Sequence, residues 1–206
     1  MKKPSLQVRY ILYRVVALAA LVFISPLVLI LYILVRIDSS GSFIFKQRRL
    51  GKDKKPFTLY KIRTMVIGAE KQRRRLLRYN EATGPVFKIR QDPRFTRVGK
   101  ILSHSALDEI LQLINVMRGE MSFVGPRPLP VSEARKVPKK YERRFSVLPG
   151  MTSEWIICGA HRISFTQWMK TDISYADDPT FSKDMKILAL TLLSIPRALI
   201  QSLRGS

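Results

Sequence analysis

Across residues 15–35 the chain carries no charge and nearly every position is apolar; Lys2, Lys3, Arg9 and Arg14 precede this run and Arg36 closes it. Its 21 residues are enough to cross a bilayer as a helix. The run is longer than the apolar core of a secretory signal, and neither a small-residue cleavage site nor a polar secreted-type domain follows it. Ser25 and Pro26 stand at its centre, where proline removes a helix hydrogen bond and crowds the preceding turn, so a kink or break is predicted there. Two topologies stay open: a kinked spanning helix, and a re-entrant hairpin that enters and leaves the same leaflet. Both flanks are basic, which under the positive-inside tendency puts both on the cytoplasmic face.

Beyond the run, the Ser and Gly residues of 38–42 read as a turn and 43–45 as a short strand or an interface segment. Residues 57–65 read as a second strand in which Lys61 and Arg63 alternate with apolar residues, which fits either one shared polar side or a solvated strand face. Residues 68–82 predict a basic helix suited to a membrane surface or to nucleic acid, and 85–97 a loop in which Asp92, Pro93 and Arg94 make a turn. From Ser105 onward, Leu107, Ile110, Leu111, Ile114 and Met117 recur at helical spacing. Ser105, three residues before Asp108, has the pattern of a capping box and places Asp108 and Glu109 in a first helical turn. Asp108, Gln112 and Asn115 then share a polar face. Pro126, Pro128 and Pro130 forbid a helix and stiffen an extended segment around Arg127. Residues 133–144 read as an exposed charged helix, and 181–203 as a core helix or one lying in the membrane plane.

Charge changes the picture more than length does. The 206 residues allow one domain or two small ones, and 46% hydrophobic content supports a core. Lys and Arg number 37 against 15 Asp and Glu, a net +22 that attracts nucleic acid, an anionic membrane or a phosphorylated substrate. The single cysteine, Cys158, excludes an intrachain disulfide and a cysteine-rich zinc site; a buried thiol is expected. Against this cationic background the acid pair has two readings. Acids in a first turn complement the helix dipole. A carboxylate can also attack phosphorus, with a hard cation such as Mg2+ beside it and a rigidly held Arg127 clamping phosphate; Arg127 can equally be a brace.

A series of short motifs, each weak alone, becomes specific in its order and spacing: Ser25-Pro26, Phe45-Lys46-Gln47-Arg48-Arg49-Leu50-Gly51, Lys61-Ile62-Arg63-Thr64-Met65, Asp92-Pro93-Arg94-Phe95-Thr96-Arg97-Val98-Gly99, Leu107-Asp108-Glu109, Gly119-Glu120-Met121-Ser122, Gly125-Pro126-Arg127-Pro128, Pro149-Gly150-Met151-Thr152, and Asp172 with Tyr175 and Asp184. In these the chain resembles the bacterial sugar transferase family, the monotopic phosphoglycosyl transferases that start glycan assembly on polyprenyl phosphate. The resemblance implies an α+β, mostly helical, membrane-associated fold. Residues 1–40 would be a re-entrant helix-break-helix anchor broken at Ser25 and Pro26, and 41–206 a catalytic domain with in-plane amphipathic helices on the cytoplasmic face of the bacterial inner membrane.

It further implies that Asp108 attacks the β-phosphate of a UDP-sugar, UMP leaves, and the sugar phosphate passes to polyprenyl phosphate, initiating exopolysaccharide, capsule, O-antigen or glycoprotein glycan. Glu109 would be the partner acid, with both carboxylates on Mg2+; Arg127, Lys61, Arg63, Gln112, Arg97 and Arg162 would contact substrate. Anionic lipids are implied partners, nucleic acid is not, and a homodimer stays open. The chain departs from the family pattern at Ser103 and Ala160, where arginine is usual, at Leu111 for proline, and at Ser153 and Ile156 for glycine and glutamine. Two other classes compete: a silent scaffold of the same fold, and a basic nucleic-acid-binding protein, which lacks a recognition motif and leaves the apolar run idle.

Overall fold

A computed structural model of the chain describes residues 6–89, 91–160 and 163–204. The apolar run lies within α1 (Leu6–Asp38), one helix of 33 residues, about 50 Å long at 1.5 Å per residue. Tyr13, Ala17, Leu31 and Val35 are buried, and Tyr10, Leu21, Ile24 and Val28 are partly covered. Spaced three or four residues apart, these positions form one stripe that lies on the rest of the protein along most of the helix. The other face is apolar and uncovered: Phe23 and Ile37 are 86% and 79% exposed. A helix apolar all round, with only one stripe covered by protein, needs lipid against the remainder. The molecule is membrane-associated through this element.

The break predicted at Ser25 and Pro26 is corrected to a continuous helix. Pro26 has no N–H for the Val22 carbonyl four residues back, but the Ser25 hydroxyl donates to that carbonyl at 2.8 Å. The lost bond is replaced within the same turn, so helical bonding resumes beyond the proline.

Two strands follow α1, β1 (Ile44–Leu50) and β2 (Pro56–Ile62), paired antiparallel with Phe45 opposite Lys61 and Arg49 opposite Phe57. β2 agrees with the predicted strand to within three residues, while β1 runs five residues past the predicted 43–45. The basic helix is α2 (Ala69–Leu76), extended by a 3-10 turn to Tyr79, and α3 (Arg97–His104) is capped by Thr96, whose hydroxyl accepts from Gly99 N–H at 3.0 Å. A 3-10 segment, Leu107–Gln112, runs into α4 (Leu113–Met117). Then come β3 (Ser122–Val124), β4 (Leu129–Pro130) on the second edge of β1, and α5 (Val131–Ala134). The exposed helix expected over 133–144 is instead α5 and a 3-10 segment, Lys139–Phe145, with Pro138 between them. Glu133 and Arg144 are buried rather than solvated. β5 (Gly150–Thr152) lies parallel to β3, followed by α6 (Glu154–Ile157), α7 (Phe165–Asp177) and α8 (Phe181–Arg204). Cys158, expected inside, is exposed at the end of α6.

Three tertiary devices set these elements in place. The free edge of β2 is closed by one side chain: Asn115 Oδ1 accepts from Tyr60 N–H at 3.2 Å, and its Nδ2 donates to Thr58 C=O and to Glu120, each at 2.7 Å. The carboxamide acts as a one-residue strand, which is why a polar residue sits at 0% exposure. Secondly, Asp184 of α8, 1% exposed, accepts from Arg9 at 2.8 Å and from Tyr13 and Tyr175 at 2.7 Å. Arg9, which counts by sequence as a flanking charge, is thus a buried tie between α1 and α8. Thirdly, Gly125 and Gly150 let β3 and β5 approach closely, since a Cβ on Gly150 would lie 2.1 Å from the Gly125 nitrogen.

Replacing Asn115 by alanine strands a part-buried N–H and a part-buried C=O on β2. A loss of about 2–6 kcal/mol is expected at roughly 1–3 kcal/mol per stranded group, read as a lower unfolding midpoint in detergent.

Candidate active site

The acid pair is presented by a sharp chain reversal. Ser105, rather than capping a new helix, ends α3, its hydroxyl donating back to the Ile101 carbonyl at 2.8 Å. Ala106 then takes left-handed backbone angles, φ +58°, strained by about 1–2 kcal/mol for a residue with a Cβ. That kink starts the tighter 3-10 segment in whose first turn Asp108 and Glu109 stand, and the predicted capping box does not form. The polar face of Asp108, Gln112 and Asn115 is real but faces inward, at 5%, 3% and 0% exposure. The apolar side of the same segment lies against α1: Leu113 and Val116 join Tyr13 and Ala17 in one cluster, and Leu111 joins Leu31 and Val35 in another.

Lys61 on β2 reaches both acids, its Nζ 3.2 Å from Asp108 Oδ2 and 2.6 Å from Glu109 Oε1. Arg127, from the proline-flanked segment, donates to the same Glu109 oxygen at 3.0 Å, and its guanidinium carbon lies 5.6 Å from the ring centroid of Trp155. Two further cations come near. Arg49 donates to the Pro128 carbonyl at 2.5 Å and to Gln47 at 2.6 Å; burial, then the charge of Arg127, brings it down to about 10. Burial also lowers the Lys88 amine, with the repulsion of Arg127 and Lys61 adding to it. These four cations exceed the acid pair, and Glu133, which also acts on Arg49 and Arg127, is itself paired with Arg73, so the site retains positive potential for an anionic ligand.

The two acids differ in proton affinity. Burial would raise both. For Glu109 the charges of Arg127 and Lys61 and their hydrogen bonds outweigh it and hold the carboxyl far below the usual range. For Asp108 burial prevails over the pull of Lys61, and the Glu109 charge adds to it, so its carboxyl sits above the usual range. Glu109 is therefore a fixed anion, and Asp108 is the group that titrates.

The remaining substrate-contact expectations fare unevenly. Gln112 is buried beneath the pair. Arg63 does not join it: β2 ends at Ile62, and the Arg63 guanidinium turns back to the Ser39 and Ser40 carbonyls after α1. Arg97 opens α3 with its side chain exposed. Arg162 lies outside the described residues, as does His161. Among the described residues no group of three or more His, Cys, Asp or Glu side chains gathers, so a metal at the pair would need further oxygens from substrate or water. Sequence reasoning missed Arg49, Lys88, Trp155 and Arg144. Arg144 hid in a run read as surface; Tyr141 within that run and Phe145 directly after it were the signal that one side of it faces a core.

Comparison with known proteins agrees with this architecture. The family model described as Bacterial sugar transferase matches residues 5–198. Galactosyl transferase CpsE of Streptococcus agalactiae is 40% identical over 153 residues, which cover 74% of this chain and 34% of CpsE. The sugar transferase EpsL of Bacillus subtilis is 35% identical over 189 residues, covering 90% of this chain and 87% of EpsL. Undecaprenyl-phosphate galactose phosphotransferase of Salmonella typhimurium is 32% identical over 185 residues, 86% of this chain and 38% of that protein. The chain thus spans about a third of the longer relatives it matches and most of the shorter one.

Carboxyl 13C NMR across pH tests the split acid pair. Asp108 is expected to titrate above the ordinary carboxylate range. Lys61→Met removes an attractive charge and moves that titration further up; Glu109→Gln removes a repulsive one and moves it down.

Proposed function

The chain belongs to the bacterial sugar transferase family, and we propose that it transfers a sugar 1-phosphate from a UDP-sugar to polyprenyl phosphate, releasing UMP and initiating a bacterial glycan. The observation that carries this reading is the position of the acid pair: one face of its segment lines a cationic site, and the other rests directly on lipid-facing α1. A reaction joining a soluble anionic donor to a lipid-borne phosphate needs that juxtaposition.

In the first step the Asp108 carboxylate attacks the β-phosphorus, an O–P bond forms, and the bond to the UMP oxygen breaks with its electron pair leaving on UMP. In the second, an oxygen of polyprenyl phosphate attacks the same phosphorus and expels the Asp108 carboxylate, regenerating it. Lys61 holds Asp108 in place, and Arg127 and Lys61 keep Glu109 ionised while offering charge to the phosphoryl oxygens as it builds there. Gln112 supports the pair from beneath. The carboxylates of Asp108 and Glu109 are hard oxygen donors that suit Mg2+, which would supply additional neutralisation of diphosphate charge.

Both ends of α1 contact the same body, Arg9 through Asp184 and Val35 through Ile62 and Leu102. This supports α1 lying along the catalytic body with its uncovered apolar face in the cytoplasmic leaflet and both ends on the cytoplasmic face, and 41–206 as the catalytic domain. Lys and Arg around that face favour anionic lipids.

The test follows UMP release by the detergent-solubilised protein with a panel of UDP-sugars, polyprenyl phosphate and Mg2+. One sugar nucleotide is expected to turn over, and Asp108→Asn to lower the rate by about a thousandfold or more. Without acceptor, the intact mass of the wild type should rise by one sugar phosphate. Attack needs the ionised carboxylate, so activity falls as pH drops through the raised Asp108 titration. Unchanged release by Asp108→Asn removes Asp108 as nucleophile, and no release from any donor removes the reaction.

A further inference from the structure

Arg127 is held at both ends by one helix. Its carbonyl accepts from Arg144 Nη2 at 2.8 Å, and Arg144 Nε and Nη2 lie 3.0 and 2.7 Å from Asp172 Oδ2 on α7. Its guanidinium lies over Trp155, which stacks on Trp168 of α7 with centroids 4.4 Å apart and planes 21° from parallel. Trp168 and Asp172 are four residues apart, hence on one face of α7. The start of that helix is set by a full capping box between Ser164 and Gln167. A single helix face therefore supports both the main chain and the side chain of an arginine that touches Glu109.

The buried ion pair is poorly explained as a device for stability. Arg144 and Asp172 are each 2% exposed, and burial brings Asp172 up to about 6 although Arg144 opposes it. The desolvation of the carboxylate thus outweighs what the arginine returns, and such pairs are often replaceable by apolar groups without loss. What a planar guanidinium does offer is direction: it binds the carboxylate and the Arg127 carbonyl in one fixed plane. Neither Arg144 nor Asp172 makes a hydrogen bond to Asp108 or Glu109.

We propose that Arg144 and Asp172, with the Trp155 and Trp168 stack, are positioning residues for phosphoryl transfer that act through Arg127, holding its guanidinium on Glu109 and on the substrate phosphate. This rests on the reading of Arg127 as a phosphate contact. A loosened Arg127 keeps its charge but loses its aim, so the transition state suffers more than the bound ground state.

The experiment is a rate cycle on the full chain in detergent. Asp172→Asn and Arg144→Lys are each measured in the wild type and in Arg127→Ala, with kcat and the KM for the UDP-sugar determined separately. Arg144→Lys keeps a paired buried charge while losing the planar fork, so it supplies the same cycle where Asp172→Asn does not fold. Expected is a loss of about 10- to 100-fold in kcat with KM changed by about twofold or less. In the Arg127→Ala background either substitution should have no further effect on kcat. Equal losses in both backgrounds overturn the proposal, because the pair then acts through the fold at large. Wild-type kcat in Arg127→Ala alone removes the parent reading of Arg127, and this proposal with it, while leaving Asp108 untouched.

Discussion

Two adjacent carboxylates buried beneath a lipid-facing helix are costly unless cations are brought to them, and much of the fold supplies those cations. β2 brings Lys61, the proline-flanked segment brings Arg127, β1 brings Arg49, and the loop before α3 brings Lys88. They come from segments widely spaced in sequence and converge because β1 and β2 pair, Asn115 seals the segment carrying the acids to the free edge of β2, and β4 joins the proline segment to β1. Cations in excess of acids leave the site attractive to phosphate, while their unequal contacts make one acid a permanent anion and the other a titrating nucleophile candidate.

Polar groups set into otherwise apolar contacts recur through the molecule, and they tie together elements distant in sequence. Asp184 gathers Arg9, Tyr13 and Tyr175, and so joins the membrane helix to α8. Asp92 holds Arg94 at 2.6 and 2.8 Å in the turn before α3, and Arg94 donates onward to the Ala69 carbonyl at 3.0 Å. Buried polar groups of this kind are expensive when half satisfied and directional when complete. In this protein they fix where α1 lies relative to the acid pair, and with it how close a lipid-borne phosphate comes to a soluble donor.

Rigidity is distributed in the same way. Pro126 and Pro128 restrict the backbone on either side of Arg127, and the Gly125 and Gly150 contact lets that segment lie tightly on β5. Ala106 carries local strain at the entrance to the acid pair, a position where backbone cost is tolerated because surrounding contacts over-determine it. Preorganisation of this sort lets charged side chains meet developing phosphoryl charge without rearranging.

The sequence by itself determined the features that depend on local composition and short spacing. The uncharged run became α1, the alternating stretches became β1 and β2, and the prolines around Arg127 made an extended segment. The acid pair was legible in its own segment, and Lys61 and Arg127 were implied as substrate contacts by the resemblance of ordered motifs; their ion pairs with the acids came only with the fold. What failed were inferences about which partner a side chain takes and where an element ends. Pro26 predicts a break until Ser25 is seen replacing its bond. Lys61 and Arg63 share a face only while the strand lasts, and it ends between them. Ser105 caps the helix before it rather than the one after, and Arg144 reads as a surface charge until Asp172, 28 residues on, is folded against it. Tertiary structure decided these because periodicity reports which residues avoid water, whereas the partner of a buried charge is chosen by the path of the whole chain.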